Sequence, residues 1–70
     1  MTEHNYKTMK FTLNADGDYD GKDKTTGMPR CKITEMQNEW IVDTTVENLF
    51  LDELRDMVAF IEHLETTEDV

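Results

Sequence analysis

The chain has 70 residues, of which 16 are Asp or Glu and 7 are Lys or Arg, giving a formal net charge of −9 at pH 7. A chain this short forms one small domain, residues 1–70, with little room for the deep pocket of a small-molecule enzyme. The negative charge disfavours direct binding to nucleic acid or anionic lipid. No stretch approaches the roughly 18 apolar residues of a membrane span. The single cysteine and the lack of a signal-peptide pattern predict a cytoplasmic protein.

Three segments show the alternation of apolar and polar residues that is typical of half-buried strands. These segments are residues 7–14, 30–36 and 39–46. Residues 15–29 hold all three glycines and the one proline, which predicts a long loop between the first two strands.

A two-residue turn at Gln37-Asn38 would join the second and third predicted strands as a hairpin. In that register Ile33 faces Val42 on the inner side of the sheet, and Lys32 faces Asp43 on the outer side. This register therefore pairs two apolar side chains on the inner face and two opposite charges on the outer face, which favours this alignment of the strands.

The pattern changes to the period of a helix over residues 48–66. Asn48 is a candidate cap, and Thr44 with Glu47 fits an alternative capping box. The predicted central apolar stripe consists of Phe50, Leu54, Met57, Ile61 and Leu64. Residues 67–70 are expected to form a polar tail. The sequence thus predicts an α+β fold, a three-stranded antiparallel sheet with one C-terminal helix packed on one face (βββα).

Apolar residues on both flanks of this stripe widen it beyond what one sheet face requires. They are Leu49, Leu51, Val58 and Phe60. Either the small sheet curls around the helix and covers the whole stripe, or one flank serves a partner or a second subunit. A small homo-oligomeric structural or regulatory protein, for example a homodimer, is therefore one hypothesis for this chain.

The segment from Asp16 to Gly21 fits the opening half of a helix-loop-helix calcium loop. Asp16, Asp18 and Asp20 occupy the first three ligand positions. The closing position, which needs a bidentate glutamate, is Gly27, and the preceding segment is a predicted strand rather than a helix. A solvated loop is the favoured interpretation, with a calcium-binding module or a loop that contacts a protein partner as alternatives.

The charge is concentrated in one half of the chain. Residues 1–34 carry five acids and six bases, for a net charge of +1, whereas residues 35–70 carry eleven acids and only Arg55, for a net charge of −10. This excess favours a protein partner with a basic surface. The candidate acidic residues for that contact are Glu39, Asp43, Glu47, Asp52, Asp56 and Glu62.

No arrangement of residues typical of a catalytic centre is present. The two histidines and Cys31 lack the spacing of a zinc site, and Cys31 alternates inward with Ile33, as a core residue does. We therefore expect no catalytic activity, no metal site and no cofactor.

In size, acidity and sheet-plus-helix layout, the chain resembles the small acidic proteins with which phages inhibit host enzymes. Anti-CRISPR proteins and uracil-DNA glycosylase inhibitors belong to this group, and several of them imitate the charge of DNA. The resemblance implies a non-enzymatic inhibitor, acting in a bacterial cytoplasm, that occludes a nucleic-acid-binding surface of a partner protein.

Overall fold

The structure, a computed structural model, describes residues 3–68, with side chains described for residues 3–66. The described chain forms five strands and one helix. They are β1 (Glu3–Asn5), β2 (Met9–Leu13), β3 (Tyr19–Asp23), β4 (Pro29–Met36), β5 (Glu39–Thr44) and α1 (Leu51–Glu68). The strands form one antiparallel sheet in the order β1-β2-β3-β4-β5. The α+β prediction is confirmed, but the described sheet has five strands rather than three.

Strand β3 lies within residues 15–29, the segment predicted to be one long loop. The prediction missed it because the middle inward-facing residue of β3 is Gly21, which adds no apolar side chain to the alternation. Gly21 is nevertheless required there. A Cβ at this position would lie 2.6 Å from the Cys31 sulfur and 2.9 Å from the Phe11 ring. The core therefore presses directly against the β3 backbone.

The hairpin between β4 and β5 has the predicted register, with Ile33 opposite Val42 and Lys32 opposite Asp43. Gln37 and Asn38 form its turn with φ values of 53° and 68°. Two consecutive positive φ values are typical of a type I′ turn, whose twist matches that of the flanking strands. Short-range pairing alone was sufficient to predict this part of the sheet.

The hydrophobic core lies between one face of the sheet and α1. Its buried apolar residues are Met9, Phe11, Cys31, Ile33, Met57, Phe60 and Leu64. At its centre the rings of Phe11 and Phe60 stack with centroids 4.3 Å apart and planes only 7° from parallel. Tyr6, Tyr19 and His4 surround the Phe60 ring at centroid distances of 5.0–6.0 Å. This aromatic cluster joins β1, β2 and β3 to the helix.

The helix begins at Leu51, so neither Asn48 nor Thr44 caps it. Phe50 is the cap residue, because its carbonyl accepts from the Glu53 amide, and its own amide donates to the Glu53 carboxylate at 2.8 Å. At its other end α1 continues to Glu68, two residues beyond the predicted end, and residues 69 and 70 of the predicted tail lie outside the described residues.

The helix is also rotated relative to the predicted stripe. Phe50 and Leu54, assigned to the core from the sequence, are 74% and 43% exposed, whereas Phe60, assigned to a flank, is completely buried. The residues that accompany Met57 and Phe60 toward the sheet are two acids, Glu53 and Asp56. A prediction based on hydrophobicity places acidic residues at the surface, so it could not predict that Glu53 and Asp56 are buried.

Candidate protein-interaction surfaces

Glu53 lies in the first turn of α1, where its side chain is 3% exposed. It accepts two hydrogen bonds from Arg30, from Nε at 2.7 Å and from a terminal nitrogen at 3.0 Å. Arg30 reaches inward at a β-bulge, where it has no paired residue on β3. Its neighbours Pro29 and Cys31 pair with the adjacent residues Lys22 and Gly21. The Arg30 guanidinium holds the pKa of Glu53 below its ordinary value.

Asp56 is the second inward-facing acid of α1 and is 7% exposed. Its Oδ2 accepts from the Thr8 amide at 2.8 Å, the Thr8 hydroxyl at 2.7 Å and the Met9 amide at 3.2 Å. This carboxylate joins the middle of the helix to the turn between β1 and β2. Asp56, expected on the partner-binding surface, is therefore not exposed there, and its contacts stabilise the fold.

Asp52 lies near the surface of the same helix but has cationic neighbours. Its carboxylate is 3.2 Å from the Lys7 ammonium and 3.3 Å from the Arg55 guanidinium. Lys7 is the main cause of the lowered pKa of Asp52, and Arg55 adds to the effect. With two bases so near, Asp52 contributes little free negative potential.

Four acids of the second half of the chain remain exposed along one margin of the sheet. We call this group the β5 edge; it comprises Glu35, Glu39, Asp43 and Glu47. Strand β5 is the last strand of the sheet order. Within the described residues, none of the four carboxylates has a Lys or Arg nitrogen within 4.0 Å. Lys32 lies opposite Asp43 in the strand register without forming such an ion pair. Of the predicted surface acids, Glu39 and Asp43 share one face of β5, and Glu47 follows that strand; all three are exposed.

A second surface covers the side of α1 that faces away from the sheet. We call it the outer helix face. It is a shallow, open depression lined by Leu51, Leu54, Arg55, Val58, Ala59 and Glu62. Leu51 and Val58 are 60% and 57% exposed. Of the flank residues predicted from the sequence, Leu51 and Val58 lie here, whereas Leu49 and Phe60 pack in or against the core. The sixth predicted surface acid, Glu62, belongs to this face and not to the β5 edge.

The three aspartates of the partial calcium motif lie in and beside the turn between β2 and β3. Asn14 organises that turn, since its side-chain oxygen accepts from the amides of Asp16 and Asp18 at 2.8 and 3.1 Å. Asp20 lies in β3, opposite Thr12, where it accepts a hydrogen bond from the Asn14 side chain. Among residues 3–66, no three His, Cys, Asp or Glu side chains are grouped so that they could hold a metal ion.

Cys31 lies in the core, 2% exposed. Burial is the main cause that raises its pKa to about 11, so the thiol is protonated near neutral pH. A protonated, buried thiol is a poor nucleophile. Trp40 also belongs to the core region, partly buried against the apolar cluster.

The two histidines meet although they are far apart in the sequence. The rings of His4 on β1 and His63 on α1 have centroids 5.3 Å apart, and both lie at the margin of the aromatic cluster. Burial, with a smaller effect from His63, lowers the pKa of His4. No sequence spacing predicts this pair, because only the packing of the helix on the sheet creates it.

Comparison of the chain with protein-family models, with curated proteins and with solved structures finds no match. Within the described part of the chain, no helix has the length and apolar character needed to cross a membrane.

Proposed function

We propose that this protein is a non-enzymatic acidic binding protein that occludes a basic, nucleic-acid-binding surface of a partner protein. The observation that carries the proposal is the β5 edge, where four exposed carboxylates line one margin of the sheet without a base in ion-pair contact. These carboxylates would occupy the places of phosphates on the partner. The resemblance to phage inhibitors in size and charge supports an inhibitory role in a bacterial cell.

The distribution of bases favours the β5 edge over other parts of the surface. Lys10 and Lys22 face each other across β2 and β3, two or more strands away from β5. With about 4.8 Å between neighbouring strands, this is a separation of roughly 10 Å or more, comparable to the Debye length at physiological salt. Strand β5 itself carries Glu39 and Asp43 and no base, and Lys32 on the adjacent β4 forms no ion pair with Asp43, so the outer strand is negative. A basic partner would be attracted to that strand before contact.

The backbone of β5 adds a second means of contact. As the last strand of the sheet formed by residues 3–68, β5 has a free side whose amide and carbonyl groups pair with no other described strand. An extended segment of a partner can add to such an edge through main-chain hydrogen bonds. Glu39 and Asp43 lie on the same face of the strand and would then select basic side chains on the added segment.

The proposal is tested with a triple variant that neutralises three of the four carboxylates of the β5 edge, Glu39→Gln, Asp43→Asn and Glu47→Gln. The tagged protein and the variant are used as bait in a bacterial lysate at low salt, and captured proteins are identified by mass spectrometry. We expect the wild type to retain a nucleic-acid-binding protein that is released by added salt or by competing DNA or RNA. The variant should lose it, because long-range attraction to the β5 edge is removed.

The matched control removes three charges from other parts of the chain through Asp16→Asn, Asp18→Asn and Glu65→Gln. This control has the same net charge as the test variant, so it separates a local surface from an effect of total charge. Equal loss of binding in both variants would contradict a site at the β5 edge. Binding that does not change between low and high salt would contradict the electrostatic basis of the proposal.

A further inference from the structure

The apolar arc of α1 is wider than the part of it that the sheet covers. Met57, Phe60 and Leu64 face the sheet, whereas Leu51 and Val58 point away from it and are more than half exposed. An exposed apolar patch that continues from a buried helix face is typical of a contact surface. We infer that the outer helix face binds the same face of a second copy of this chain, with the two helices antiparallel around a two-fold axis near Val58.

The positions of the side chains on this face are self-complementary under such an axis. Leu54 lies on one margin of the face, Arg55 and Glu62 lie on the other, and Val58 lies between them. Ile61 lies just beyond the Leu54 margin, where it is partly buried against the core. Each of the two pairs is separated by seven residues, or about 10.5 Å along the helix. A two-fold axis near Val58 therefore places Leu54 against Ile61 of the second copy and Arg55 against Glu62 of the second copy.

Each such contact occurs twice, as an isologous interface requires. Ala59 lies beside the proposed axis, and its small side chain permits a close approach of the two helices. The ionic contacts nearest the axis, between Arg55 and Glu62, join opposite charges, and Glu65 lies farther out, opposite Leu51 of the second copy.

The position of Arg55 favours a second copy over a basic partner on this face. Arg55 is the one base within residues 35–70, and it lies in the apolar depression beside Glu62. The Arg55 guanidinium is complementary to a carboxylate on the partner, and a second copy offers Glu62 at the matching position. In the single chain the Arg55 side chain is 69% exposed, and within residues 3–66 its ionic contact is with Asp52 at 3.3 Å, so it can turn toward a carboxylate of the second copy.

This dimer is independent of the proposed inhibitory function, because the β5 edge and the outer helix face are different surfaces. Dimerisation would leave both β5 edges uncovered. The dimer would therefore present two acidic edges to a partner and would strengthen binding to a partner with two basic sites.

The experiment is sedimentation equilibrium of the purified full chain over a range of concentrations from micromolar to millimolar. We expect a reversible monomer–dimer equilibrium in the wild type. Val58→Glu should give a monomer, because it places two like charges beside each other on the two-fold axis. Circular dichroism melting of each variant checks that the fold is retained, which is expected since Val58 does not belong to the buried core.

A charge exchange makes the test specific for the antiparallel geometry. Arg55→Glu alone and Glu62→Arg alone should each weaken the dimer by about tenfold or more, because each creates two like-charged contacts in place of two ion pairs. The double variant Arg55→Glu, Glu62→Arg should restore dimerisation, since it reverses both partners together. A wild type that stays monomeric at millimolar concentration, or a double variant as weak as the single ones, would overturn the inference.

Discussion

The hydroxyl and the backbone amide of Thr8 donate to the same carboxylate oxygen of Asp56, at 2.7 and 2.8 Å. These residues are 48 positions apart in the chain. Through this contact the turn between β1 and β2 is joined to the middle of the helix. An acid that the sequence places on the solvent side of α1 thus holds together the two halves of the fold.

Replacing Asp56 by Ala is expected to lower the free energy of unfolding by about 2–3 kcal/mol. The substitution leaves the Thr8 and Met9 amides without their acceptor in a mostly buried place. Urea unfolding followed by circular dichroism measures the change. The control is Glu65→Ala, an exposed acid on the same helix, for which a change of less than about 0.5 kcal/mol is expected. Equal effects of the two substitutions would show that Asp56 has no special structural role.

Glu53→Gln is expected to lower the melting temperature by several degrees near pH 7 and by much less near pH 3. The pKa of Glu53 is lowered in the folded state, chiefly by Arg30, so its carboxylate stabilises the fold above the ordinary glutamate pKa of 4.5. This contribution is lost as the pH falls through the lower pKa of the folded protein. Melting curves of both proteins across this pH range test the prediction. A melting-temperature difference that does not depend on pH would contradict it.

Gly21→Ala is expected to destabilise the protein by about 1–3 kcal/mol through overpacking of the core. The new Cβ would lie 2.6 Å from the Cys31 sulfur and 2.9 Å from the Phe11 ring. Because the sulfur is the nearest atom, the double variant Gly21→Ala, Cys31→Ala should lose less stability than the sum of the two single variants. Simple additivity in denaturant unfolding would indicate that the contact with Cys31 is not the cause.

Acidification from pH 7.5 to 5.5 is expected to destabilise the fold through His4. Burial and the neighbouring His63 lower the pKa of His4 in the folded state. In the unfolded chain His4 is protonated near the ordinary histidine pKa of 6.5, whereas in the folded chain it is protonated only at lower pH. The free energy of unfolding therefore decreases as the pH falls through 6.5. His4→Phe keeps a ring against Phe60 and should flatten the pH dependence in this range.

The matched control for that experiment is Asn5→Gln, an exposed substitution on the same strand that adds no titrating group. It should leave the pH dependence as it is in the wild type. His63→Gln should give an intermediate slope, because it removes the smaller of the two causes that lower the pKa of His4. A slope that is unchanged in His4→Phe would assign the pH dependence to other groups.

The sequence by itself determined the parts of the fold that depend on near neighbours. The hairpin from β4 to β5 follows from alternation and a two-residue turn, since paired residues there are close in the chain. The existence of the C-terminal helix likewise follows from periodicity within one segment. The concentration of acidic residues in the second half was also readable directly from the sequence.

Only the tertiary structure decided which side of the helix faces the sheet and which acids stay exposed. Glu53 and Asp56 are buried because Arg30 and Thr8, both distant in the sequence, satisfy their carboxylates. Strand β3 could not be predicted for a related reason. Its Gly21 has no side chain, and the Cys31 and Phe11 side chains of the core occupy the space where one would lie. A hydrophobic pattern shows which residues are apolar and which are polar. It cannot show which distant residues will form hydrogen bonds or pack against each other, because those residues meet only in the folded chain.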